Sequence, residues 1–356
     1  MLLDLIKVFI PALLAFTIGI GITPLLSHYL YAHKMWKKKA GKIGLDGEAT
    51  PLFNKLHESR ETGTPRLGGV LIWVSASIAI LGVYFAGVIF ESSFFSKLDF
   101  LSRDQTWIPL SALLIGAIIG LIDDLFEIRG GGDYKAGGLS LAKRLLVVGV
   151  VGLLASLWFH YKLDVSTIGL PFFGPLYLGW FIIPLFTLVT IAVYSGGIID
   201  GIDGLAGGIF AIMFGAYGAI AFFQNQINLA AFCAALLGGI LAFLWFNIPP
   251  ARFYMSETGS MALTLTLSIV AFMTDSLGEG EGLFVLPLIA FPLLVTSLSA
   301  IIQMFSKRFL RRKVFLIAPL HHHFEALGWP SYKVTMRYWV LSVIFALLGL
   351  ILALAS

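Results

Sequence analysis

Ten blocks of apolar residues, each near the length that crosses a bilayer, limit what this chain can fold into. A spanning helix needs about 20 mostly apolar residues, with roughly 17 to 25 tolerated. The blocks are Leu5–Tyr31, Leu67–Phe90, Trp107–Ile122, Leu145–Tyr161, Leu178–Ile199, Leu205–Phe223, Ile227–Phe246, Ser260–Thr274, Leu283–Phe305 and Tyr338–Leu354. The third and eighth are short and abut acidic residues, so each is expected to extend by a turn. Only 12% of the 356 residues are charged and 58% are hydrophobic; a soluble domain carries about twice that charged share. The expected fold is an all-α integral membrane protein, one polytopic domain over residues 1–356 with about ten transmembrane helices. The first block is too long for a signal-peptide core, and its positive cluster (Lys34, Lys37, Lys38, Lys39) follows it. It reads as a retained helix with its N-terminus outside.

Ten crossings put both termini on one side. Of the 24 Lys and Arg residues, 20 fall in the alternate loops Ala32–Arg66, Asp123–Arg144, Asp200–Gly204, Asn247–Gly259 and Ser306–Arg337. The exceptions are Lys7, Lys97, Arg103 and Lys162. Basic loops mark the cytoplasmic side, so the termini are expected to be periplasmic. The net charge of +4 belongs to loops that flank spans and meet anionic lipid, which argues against a nucleic-acid partner. The lone Cys233 lies in an apolar block and excludes an intrachain disulfide.

Every cluster with chemical character falls in those same loops. Asp123-Asp124 end the third span; carboxylates at a membrane edge need a partner, and Mg2+ takes such hard ligands together with substrate phosphates. Neighbours on a helix point about 100° apart, so one of the pair can bind metal while the other orients or acts as base. Asp200 and Asp203 in Asp200-Gly201-Ile202-Asp203-Gly204 would share a face on a helix; the bland alternative is a turn with helix caps. Glu257 in Ser256-Glu257-Thr258-Gly259-Ser260 is either a capping residue or a third carboxylate for a shared metal. Three adjacent histidines, His321-His322-His323, cannot all point one way on a helix, which disfavours a zinc site. At a phosphate they can donate hydrogen bonds or move protons. Gly63-Thr64-Pro65-Arg66-Leu67-Gly68-Gly69 is no Walker loop, but Arg66 can pair with a phosphate.

These residues resemble the polyprenyl-phosphate N-acetylhexosamine-1-phosphate transferase superfamily, and within it the phospho-N-acetylmuramoyl-pentapeptide transferase family. The likeness runs from about His57 to Trp339. Its most specific pieces are Ala318-Pro319-Leu320-His321-His322-His323-Phe324-Glu325, with Gly328-Trp329-Pro330 behind it, and Asp200-Gly201-Ile202-Asp203-Gly204-Leu205-Ala206. The resemblance implies ten helices and a cytoplasmic active site in the bacterial inner membrane. It implies transfer of phospho-MurNAc-pentapeptide from UDP-MurNAc-pentapeptide to undecaprenyl phosphate, giving lipid I and UMP, with Mg2+ as cofactor. The site residues it implies are Asp123, Asp124, Asp200 and His322 for catalysis. Asp203, Asn247, His321, His323, Arg66 and Thr64 fall to substrate binding, and Glu257, Asp124 and Asp200 to metal. The oligomeric state stays open, a homodimer included.

The chain departs from the family pattern in several places. Glu257 stands where the family has a metal-binding aspartate. Glu127 and Glu61 stand where it has lysines, Arg66 where it has threonine, and Gly197 where it has asparagine. Arg60, Arg66 and Arg129 are candidates to restore positive charge, since guanidinium suits phosphate. A sister transferase moving GlcNAc-1-phosphate and an inactive binding homologue remain alternatives. An ion-coupled transporter is the rival from another class, but it would place its ionisable groups at mid-membrane.

Overall fold

The structure, a computed structural model, describes residues 1–38, 62–90, 93–102, 105–130, 138–277 and 280–355. Ten helices among these are long and apolar enough to cross a membrane. Their α-helical parts are α1 (Leu2–Ala32), α2 (Val70–Ile89), α3 (Trp107–Arg129), α4 (Leu141–Lys162), α5 (Ile182–Ser195), α6 (Leu205–Phe223), α7 (Ile227–Asn247), α8 (Ser256–Phe272), α9 (Phe291–Phe305) and, after the short α10 (Leu320–Ala326), α11 (Ser331–Ala355), with adjoining 3-10 or π turns extending the fifth, eighth and ninth spans to Gly179–Ile199, Ser256–Asp275 and Phe291–Leu310. Each matches one expected block. A two-stranded antiparallel hairpin, β1 (Thr167–Leu170) and β2 (Gly174–Tyr177), joins α4 to α5. The alternation of the sequence had not marked it.

The bundle is built around α8. Every residue of α8 except Glu257 is buried, and α2, α3, α5 and α6 pack against it. Its hydroxyls would be costly in an apolar interior, so they bond back along the helix: Thr264 Oγ1 donates to Ser260 O (2.7 Å) and Thr266 Oγ1 to Ala262 O (2.7 Å). The outer helices expose Leu146, Leu154, Val340, Leu347 and Ile351, a surface suited to hydrocarbon.

Lipid offers no hydrophobic drive for helix association, so close backbone approach carries it. Gly120 of α3 lies directly on the α8 backbone, where an added Cβ would overlap the Glu257 carbonyl. That contact brings the last two turns of α3 alongside the first turn of α8.

Some element boundaries differ from the sequence reading, each for a physical reason. The third span runs on to Arg129, so Asp123 and Asp124 lie inside the helix and are fully buried. The eighth starts a turn early, at Ser256. The ninth block is broken into a short helix, Leu286–Ile289, and α9, each with a proline in its first turn. Asp200 and Asp203 are not on a helix: Asp200 ends a short 3-10 turn and Gly204 sits in the left-handed region at φ 75°. The shared helical face expected for that pair is therefore replaced by a turn.

Gly120→Ala should lower the detergent unfolding midpoint, at a cost of about 1–3 kcal/mol for overpacking. Gly82→Ala, whose Cβ meets nothing within 4 Å, is the control and should not lower it.

Candidate active site

The N-terminus of α8 organises the cluster. Its first N–H groups have no partner within the helix, and no side chain of its own caps it. Carboxylates from elsewhere do so. Asp200 Oδ2 accepts from Ser256 N (2.8 Å). Asp124 Oδ1 accepts from Glu257 N (3.3 Å), and Asp124 Oδ2 accepts from Thr258 N (2.8 Å) and Thr258 Oγ1 (2.6 Å). Ser256, between them, holds a positive φ of 59°, uncommon for a residue with a side chain. Negative charge also suits the positive end of the helix dipole.

Two cation-centred groups flank this cap. Arg144, in the first turn of α4, bridges Asp123 Oδ2 (2.8 Å) and Glu257 Oε1 (2.6 Å). Asp123 Oδ1 also accepts from Leu139 N (2.6 Å). On the other flank, Glu127 takes Lys37 (2.9 Å) and Arg66 (2.8 Å), and Arg66 Nε lies 3.7 Å from Asp124. Burial disfavours the charged Arg66, but Glu127, Asp124, Asp200 and Glu257 outweigh it and raise its pKa above the ordinary arginine value. Glu127 thus faces inward, paired with Lys37 and Arg66. Arg129 is exposed and joins neither group. Arg60 and Glu61 lie outside the described residues.

The remaining loops close on the same end of the bundle. Asn247 is buried and braced at both ends, accepting from Gly204 N and donating to Phe253 O (both 2.9 Å). Asp203 Oδ2 accepts from Ala251 N (3.1 Å). Thr64 is half-buried at the start of a segment that ties to the α7–α8 loop, with Tyr254 N donating to Pro65 O and Gly68 N to Tyr254 O. His321 and His322 are buried on α10, and an added Cβ on Gly201 would lie 2.6 and 2.8 Å from their Nε2 atoms. Only a glycine lets the Asp200 turn meet the two imidazoles. His322 Nδ1 pairs with Glu325 Oε2 (2.7 Å), and Ser331 Oγ donates to Glu325 Oε1 (2.7 Å). Such a carboxylate fixes the ring's orientation and leaves Nε2 toward the turn. His323 points elsewhere, accepting from Leu316 N (3.2 Å).

Of the expected residues, the structure therefore brings together Asp123, Asp124, Asp200, Glu257 and Arg66 around one helix end, with His321 and His322 beside Asp200. Asp203 and Asn247 brace the adjoining turn. Three residues were missed from the sequence: Arg144, Thr258 and Glu325. Glu325 had a signal, lying three residues after His322 on one helix.

Among the described residues, no three His, Cys, Asp or Glu side chains meet as a ready metal cage. Glu257, Asp124 and Asp200 are each engaged with α8 or Arg144. The donor chemistry nevertheless fits a hard divalent cation, for which one or two carboxylates plus substrate phosphates suffice. Four carboxylates (Asp123, Asp124, Glu127, Glu257) share three cations (Lys37, Arg66, Arg144). Asp200 adds a further acid, and one of the cations already sits between Asp123 and Glu257.

Similarity to known proteins agrees with this geometry. The profile of glycosyl transferase family 4 matches residues 106–275, a stretch holding Asp123, Asp124, Glu127, Asp200, Asp203 and Glu257. A phospho-N-acetylmuramoyl-pentapeptide-transferase of Chloroflexus aggregans is 30% identical over 365 residues, covering 99% of this chain and 90% of the relative. The chain belongs to the phospho-N-acetylmuramoyl-pentapeptide transferase family. Family members of the same name from Rickettsia bellii (30% over 362 residues; 95% and 91% covered) and Listeria monocytogenes (31% over 299 residues; 83% and 85%) are similarly related. The chain is thus a multi-pass membrane transferase, and the acidic cluster at a helix end, away from mid-span, is not that of a transporter.

Asp124→Ala would leave the Thr258 N–H and hydroxyl buried without their acceptor. It should destabilise the protein by about 1–3 kcal/mol, read as a lower unfolding midpoint in detergent, with Asp124→Asn losing less.

Proposed function

We propose that the chain transfers phospho-MurNAc-pentapeptide from UDP-MurNAc-pentapeptide to undecaprenyl phosphate, releasing UMP and forming lipid I, with Mg2+ as cofactor. The reaction takes place at the cytoplasmic face of the bacterial inner membrane. The observation that carries this reading is the convergence of the Asp123-Asp124 pair and Asp200 on the end of the buried helix that carries Glu257, with His322 against the Asp200 turn.

The obstacle to the reaction is repulsion between an anionic phosphate and an anionic pyrophosphate. Glu257, Asp124 and Asp200 would hold Mg2+, which when bound would neutralise the pyrophosphate charge. The protein's own part is positioning. Asp123, held by Leu139 N and Arg144, is the group assigned to orient the attacking lipid phosphate and accept its proton. A covalent route through the same carboxylate is chemically open to it. His322, oriented by Glu325, presents Nε2 beside the Asp200 turn, where it can donate to a phosphate oxygen. The surrounding helices expose apolar side chains against which a polyprenyl tail can lie.

Incubating the purified protein with undecaprenyl phosphate and both UDP-MurNAc-pentapeptide and UDP-GlcNAc, followed by mass spectrometry of the lipid, should yield only the MurNAc-pentapeptide product. A GlcNAc product would assign the chain to the sister chemistry. Asp200→Asn and Glu257→Ala should each lower Mg2+-dependent UMP release by at least about a hundredfold; full activity in both would remove the metal arrangement.

A further inference from the structure

The Arg144 bridge is placed oddly for a structural ion pair. The residue lies in the first turn of α4, capped by Ser140, where the helix dipole disfavours a cation. Its Nε is buried and makes no hydrogen bond among the described residues. Among the described residues, Asp123 and Glu257 pair with the guanidinium, Tyr194 stands beside it, and its side chain keeps 19% of its surface exposed. Arg66 is equally exposed, and its head is shared between Glu127 and Asp124. Lys37 is nearly buried against Glu127. Of the three cations, Arg144 is the one whose guanidinium is bonded to Glu257, the acid assigned to the metal.

We propose that the Arg144 guanidinium is a tethered counter-ion of Glu257, bridging it to Asp123 in the metal-free protein, and must release Glu257 before a divalent cation binds there. The exchange swaps one positive charge for two in a cluster where acids outnumber cations. Glu257 is the pivot. Its oxygen lies 2.6 Å from the guanidinium, and a side chain one methylene shorter would draw the carboxylate back from it. In the metal-free protein the bridge prevents Asp123 and Glu257 from repelling each other at close range; in the loaded protein the freed guanidinium faces the substrate phosphates, for which it is suited. This rests on the metal assignment made above and adds a competitor for the metal within the chain.

The proposal makes metal affinity and stability move in opposite directions, as linkage requires. The test is Mn2+ binding to the full-length protein in detergent, followed by electron paramagnetic resonance without substrates. Arg144→Met, which keeps bulk and removes charge, should bind Mn2+ on the order of tenfold more tightly than the wild type. The same variant should unfold at a lower temperature without metal and recover most of that loss at saturating Mn2+. Arg144→Lys, with one point charge that cannot bridge both carboxylates, should lie between the two and covers a failure of Arg144→Met to fold. Equal or weaker Mn2+ binding in the variants, or none in any of the proteins, overturns the counter-ion. UMP release by the wild type is measured separately: its loss alongside tighter Mn2+ binding in the variants would remove the transferase reading and leave the counter-ion intact.

Discussion

The first three N–H groups of the central helix are satisfied by carboxylates that arrive from two other parts of the chain, and the rest of the site depends on that. Asp124 and Asp200 are capping residues at a distance, held to α8 by ordinary hydrogen bonds to Ser256, Glu257 and Thr258. Because the cap is made in trans, the end of α8 exists in its observed form only when α3 and the Asp200 turn are in place. Stability and chemistry therefore share the same atoms. The positive φ at Ser256 fits this: a sparsely populated backbone state persists where its surroundings over-determine it.

Charge balance is the second organising constraint. Glu127 would by itself be a bare buried anion, but Lys37 and Arg66 reach it from the segments flanking the first long loop. Glu257 and Arg144 form the matching pair on the other flank. Glu127 and Glu257 thus each have a cation whose position suits it.

Much of this was legible in the sequence because a bilayer leaves few options. Spans must be long and apolar, so their number could be counted, and charged groups collect at their ends, so Asp123-Asp124, Asp200/Asp203 and the histidines stood out. What could not be read depends on approach between distant segments. Nothing near Arg144 in the chain announces that Asp123 and Glu257 will enclose it. The glycine contact that sets the α3–α8 distance is one glycine among 38. For the Asp200–Asp203 pair, i, i+3 spacing left a shared helical face and a turn both open, and Gly204 in the left-handed region decides for the turn. Likewise the ninth block reads as continuous by hydropathy, while Pro287 and Pro292 divide it.

At the far end of α8, Asp275 accepts hydrogen bonds from Gly169 N and Leu283 N (both 3.0 Å), fastening the helix to the β-hairpin and to the segment leading into the next span. With Asp124 and Asp200 at one end and Asp275 at the other, the central rod is pinned like an axle in two bearings. Sliding it along its axis would break buried charge-assisted bonds at both ends together. Piston motion of this helix is therefore closed as a way of passing a signal across the bilayer, and whatever moves during turnover must be the rim that surrounds the axle.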